Sequence, residues 1–172
     1  MVPVSIDGST LGAIIVVVFG AVWGVAGAIG LPRPWRTWGL ALSIAVSAAL
    51  LIWCLMPHTT SMSGTFRGGV YGAAVAFELA GITAIVWLLR RLRLPRYILP
   101  AVGFVVGLHF LGMWKATDLL VFVWTAVGMC TVSVIAVWLP DHSGGRAVDV
   151  RSVITGFGLA LVLWTTGVFG LR

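Results

Sequence analysis

The sequence predicts an all-α polytopic membrane protein, a compact bundle of six transmembrane helices, and three observations carry that expectation. The first is composition: 60% of the 172 residues are hydrophobic and 9% are charged, against roughly 45–50% and about 25% in an ordinary soluble domain. With a mean hydropathy of +1.09, the chain has more apolar surface than an aqueous core could hide, so the bilayer is its solvent. The second is distribution, since the apolar residues fall into runs at 11–31, 38–56, 68–89, 97–114, 119–139 and 152–171. The third is length. Each run has 18 to 22 residues, and about 20 cross a ~30 Å hydrocarbon core at 1.5 Å per residue.

Backbone N–H and C=O groups find no water partner in lipid, so each run is expected to be a helix. The first run follows MVPVSIDG, which has no Lys or Arg. A secretory signal needs a basic leading region, so this run reads as an uncleaved span. The second follows the turn PRPWRT and the third follows PHTTSMSGTFRG; both linkers carry the Pro, Gly and Ser of turns. The third run ends at Arg90 and Arg91, and the fourth begins beyond Arg96. The fifth starts after Lys115 and Asp118, and the sixth after PDHSGGRAVDVR. Residues 1–172 thus read as one transmembrane domain. Leu31-Pro32-Arg33, Leu94-Pro95-Arg96 and Leu139-Pro140-Asp141 close the inward-running spans, where proline stops a helix.

The 11 cationic residues are divided unequally. Arg33, Arg36, Arg90, Arg91, Arg93, Arg96, Arg146 and Arg151 lie in turns on one side, and Arg67, Lys115 and Arg172 on the other. The positive-inside rule puts the first group in the cytoplasm and both termini outside, in a multi-pass protein of a plasma membrane. Trp35, Trp38, Trp53, Trp87, Trp114 and Trp138 stand near run ends, as an interfacial belt requires. The formal charge of +6 is explained by orientation, and no basic domain or tail points to nucleic acid. Cys54 and Cys130 sit at unequal depths, which disfavours a disulfide.

Only two acidic or basic residues are expected well inside the spans: Glu78 in the third and His109 in the fourth. Glu78 is 12 residues before Arg90 and His109 is 13 after Arg96, so each stands roughly 18–20 Å from the cytoplasmic charges. A short turn joins the two helices, which makes them antiparallel neighbours, and equal depth allows an acid–imidazole contact. A charged side chain at a span's centre costs about 2.5–3.5 kcal/mol on insertion scales. Beside each other the two groups can share a proton and titrate as one unit.

Ala74, Gly81 and Gly112 lie one turn from this pair and are compatible with a small cavity or with close helix approach. Tyr71 projects from the Glu78 face toward the outside, and Lys115, Asp118 and His58 continue the polar track at the outer rim. Gly103 and Gly107, spaced G-x-x-x-G on the opposite face of the fourth helix, favour tight contact there. Trp23, Thr83, Trp124, Thr125 and Thr131 read as packing or backbone-bonded residues.

Gly107-Leu108-His109-Phe110-Leu111 resembles a G-x-H-F-L stretch in small multispanning bacterial membrane proteins of unassigned function. A proline commonly follows that stretch; this chain has Gly112. The resemblance implies a compact helical membrane protein with a polar residue of note at His109, and no activity.

Two functions stay open. In the first, Glu78, His109 and Tyr71 bind or pass a proton, a cation or a small polar solute. Because alternating access often uses two related halves, a homo-oligomer or a partner subunit would complete a transporter. In the second, the chain is an accessory or scaffold subunit that offers the small-residue face Gly20, Gly24 and Ala28, and the pair is a structural clamp. An enzyme is disfavoured, since H-E-x-x-H, G-x-S-x-G, CxxC and paired carboxylates do not occur. No metal site is expected, and the cofactor is unknown, one buried histidine leaving a single-histidine haem open.

Overall fold

The computed structural model describes residues 8–56, 67–139 and 149–170. They form six α-helices long and apolar enough to span a membrane, and no strand occurs among the described residues. The helices are α1 (Gly8–Ile29), α2 (Arg33–Leu55), α3 (Gly68–Arg91), α4 (Ile98–Thr117), α5 (Val121–Trp138) and α6 (Val150–Thr165). A 3-10 turn at Pro95–Tyr97 precedes α4, and a π-helical turn at Thr166–Gly170 ends α6. Helix α2 begins about a turn earlier than its apolar run. Pro32 caps it and a second proline follows in its first turn, where the missing N–H has no intrahelical role.

The helices neighbour one another in the order α2, α1, α6, α5, α4, α3, and α6 also touches α4. The buried core lies among α1, α4, α5 and α6, with Val17, Phe122, Met129, Leu159 and Leu163 almost wholly enclosed. Helices α2 and α3 flank it, and α3 packs chiefly on α4, with no residue fully buried. Large apolar side chains such as Leu42, Ile52, Phe77, Leu79 and Trp124 point outward. In water such a surface would be a liability, and in a bilayer it is the lipid contact. Trp124 thus faces outward and does not pack, contrary to the expectation, whereas Trp23 is buried.

Glycines set the closest crossings. A Cβ on Gly156 of α6 would overlap the backbone of Gly27 in α1, and one on Gly27 would meet the Phe157 amide nitrogen at 2.8 Å. Gly103 lies against Ser133 and Leu159, and Gly107 against Met129 and Cys130. The G-x-x-x-G pair therefore joins α4 to α5, with Gly103 also reaching α6, while the other face of α4 meets α3. Gly20 packs on Trp164, Gly24 on Ser43, and Ala28 is fully buried. The face expected to serve a partner protein is used inside the chain. The reason is physical: where lipid is the solvent, helices associate by close van der Waals contact, and α1 spends its small residues on α2 and α6.

Several polar side chains in the spans bond locally or across helices. Ser43 donates to the Gly39 carbonyl at 2.8 Å and Thr83 to that of Leu79 at 2.8 Å. The Trp164 indole donates to Ser47 Oγ at 3.1 Å, and Thr125 and Thr166 share a 2.8 Å contact. Among the described residues, the α1–α2 turn, the α3–α4 turn and the first turn of α6 gather at one end. The Asp149 amide donates to the Gly30 carbonyl at 3.1 Å, and the Arg151 guanidinium lies 4.5 Å from the Tyr97 ring centroid.

The crossing of α1 and α6 generates a test. Gly156→Val forces atoms into backbone with no flexible side chain to give way, and should cost about 1–3 kcal/mol or more. Gly72→Ala enters open space and should be neutral or stabilising by up to about 1 kcal/mol. Reversible denaturation in mixed micelles compares the two; equal effects would contradict the crossing.

Candidate functional site

Glu78 sits mid-way along α3 and His109 mid-way along α4, and the antiparallel hairpin brings them level. His109 Nδ1 lies 3.3 Å from Glu78 Oε2, with side-chain exposures of 10% and 16%. The separation is within ion-pair range, but the approach lacks hydrogen-bond alignment, so the buried Nδ1 has no well-directed partner. Geometry alone leaves a pair that a small rotation would close. Tyr71, about two turns earlier on α3, presents its ring edge to His109 at a centroid distance of 6.3 Å, and Phe110 stands at 5.9 Å. The imidazole is therefore held among one acid and two aromatic rings.

The neighbouring small residues do not open a cavity here. A Cβ on Gly112 would overlap Ala74, and one on Gly81 would meet Val105 Cγ1 at 3.0 Å. Ala74, Gly81 and Gly112 are used to bring α3 and α4 together. Small residues permit either a void or a close crossing, and of these two uses the structure shows the second at Gly112 and Gly81.

At the far end from the arginine turns, Arg67 ties α3 to α4. Its amide donates to the Ala116 carbonyl at 2.8 Å, and its Nη2 pairs with Asp118 Oδ2 at 3.0 Å. Asp118 ends α4 in the left-handed conformation, φ 60°, which Asp tolerates better than most residues. Lys115 Nζ stands 5.8 Å from the Trp114 ring. Tyr71 is thus brought to the pair, Asp118 is engaged by Arg67, and Lys115 is drawn along its own helix. His58 lies outside the described residues. Among the described residues no group of three or more His, Cys, Asp or Glu side chains could hold a metal ion.

Sequence reasoning missed Arg151. Assigned to a turn for its charge, it lies in the first turn of α6 and is 6% exposed. Its Nε donates to the Ala136 carbonyl at 2.9 Å and its Nη2 to that of Leu139 at 2.7 Å. It thereby caps the carbonyl end of α5, where cations are favoured, while stacking on Tyr97. A signal was present: Asp149 accepts from the Ser152 amide as the N-cap of α6. An Asp three residues before a Ser and an apolar run marks a helix start, and that start places Arg151 inside it.

No family model, curated protein or solved structure matches this chain. The fold and side chains therefore define its class, an integral membrane protein of six apolar helices.

Arg151 carries a prediction. Arg151→Leu leaves two carbonyls without their charged donor and should destabilise the protein by about 2–4 kcal/mol. Arg67→Ala breaks a pair that is 57% exposed on each side and should cost no more than about 1 kcal/mol. Denaturation midpoints of the two variants in the same micelles compare these effects.

Proposed function

We propose that this protein is a plasma-membrane protein that binds, and in an assembled form conducts, a proton, cation or small polar solute at Glu78 and His109. Tyr71 lines the approach from the outer side, with the Arg67–Asp118 end of the α3–α4 hairpin as its rim. One observation supports the reading: an acid and an imidazole in contact at mid-span, 3.3 Å apart. Intramembrane ionisable groups are costly, and are kept chiefly where they act on a ligand or a proton. The arginine-bearing turns face the cytoplasm and the termini lie outside, as the charge asymmetry favours. A second copy or a partner subunit would supply the other half of a transport unit.

A second reading has its own support. Helix α3 packs chiefly on α4 and buries no residue fully, so the pair could serve as the clamp that registers α3 in an accessory subunit. Interhelical hydrogen bonds in membranes average about 0.6 kcal/mol, so a clamp of this kind would be a modest one.

Thermal unfolding of purified protein with a panel of small solutes and ions, at several pH values, separates these readings. Under the first, a ligand near 100-fold above its Kd adds about 2.7 kcal/mol. That is a rise of roughly 5 °C or more, absent from Glu78→Gln. Under the second, Glu78→Gln and His109→Ala lower the midpoint alike, and no added solute or ion raises it in wild type or variant. Orientation is tested by C-terminal fusions: alkaline phosphatase should be active and green fluorescent protein dark.

A further inference from the structure

Resting on the reading of Glu78 and His109 as a binding site, we propose that its ligand is the proton alone, shared between the carboxylate and the imidazole with no solute admitted. The packing carries this. Nδ1 of His109 is buried and faces Glu78 Oε2 at 3.3 Å, so a solute reaching it would have to part α3 from α4. The three residues small enough to have left a cavity are consumed by the α3–α4 crossing, Gly112 against Ala74 and Gly81 against Val105. What remains is a 3.3 Å gap between nitrogen and oxygen, which a proton bridges once the groups align.

Among the described residues the groups facing the pair are few. From α3 come Glu78 itself and Tyr71; from α4 comes His109. Helix α5, packed on the other side of α4, brings Cys130, whose thiol is directed at the Phe104 carbonyl at 3.8 Å. The turn at Pro95–Tyr97 and the first turn of α6 bring Arg96 and Arg151, both at the arginine end, where Arg96 lies 5.0 Å and Arg151 4.5 Å from the Tyr97 ring. Arg67, Asp118 and Lys115 stand at the opposite end of the hairpin. Among the described residues no other charged group is placed against Glu78 or His109, so the proposed proton is shared by these two. The step balances simply: a proton arriving by way of the outer end adds to the pair, and the same proton leaves when the pair releases it.

The experiment uses the whole protein in lipid nanodiscs. Glu78 is the sole glutamate of the chain, so carboxyl-13C glutamate labels it uniquely, and 15N-histidine reports His109 once a His109→Gln sample has assigned it. A pH titration should move both signals with common midpoints, and Glu78→Gln should displace the His109 midpoint by about one pH unit or more. A solute panel at fixed pH should leave both signals unmoved. Independent midpoints in the wild type, which need no variant to fold, would overturn the proposal. A solute that moves the His109 signal in wild type but not in Glu78→Gln would overturn it too, while leaving the site itself standing. If neither pH nor solute couples the two signals, the proposal and the underlying reading both fall and the clamp remains.

Discussion

The architecture depends on how closely two helices can approach when the solvent is as apolar as their side chains. Lipid gives no hydrophobic reward for joining them, so contact distance decides. At the crossing of α1 and α6, Gly27 and Gly156 bring backbone to backbone, closer than any side chain would allow. That contact fixes α6 between α1 on one side and α4 and α5 on the other. The enclosed core around Leu159, Leu163 and Met129 follows from it. Helices α2 and α3, lacking a crossing of that intimacy with the centre, remain at the flanks.

The position of the acid–imidazole pair follows from the same frame. It lies at the junction of α3 with α4, away from the enclosed core, and the two side chains shield each other from lipid. Close packing of Ala74 on Gly112 brings α3 near enough for the two side chains to meet. A helix held mainly by one neighbour opens at lower free energy than one packed on three. The opposite face of α4 is locked to α5 by Gly103 and Gly107, which makes α4 the fixed member of the pair.

Charges outside the centre have different duties according to their burial. Arg67 and Asp118 are half-exposed and join the ends of α3 and α4. Arg151 is enclosed and takes the carbonyls that α5 leaves unpaired at its end. The α1–α2 turn and the start of α6 meet through the Asp149 amide and the Gly30 carbonyl. Among the described residues, the arginine-bearing end of the bundle thus also joins α6 to the α1–α2 turn and to the end of α5.

Much of this was legible in the residues alone. Run length and composition determined six helices, because a ~30 Å slab allows few other solutions. Counting along α3 and α4 from their shared turn put Glu78 and His109 at one depth, because helical rise is constant. The use of the small residues was not legible. Gly112 and Gly81 read equally as cavity walls or contact points, Gly20 and Gly24 as a face for a partner or for α2 and α6, and Arg151 as a turn charge or a cap. A sequence states which residues lie on a helix face, whereas only the packed structure decides what lies opposite, because that depends on which helices cross and how closely.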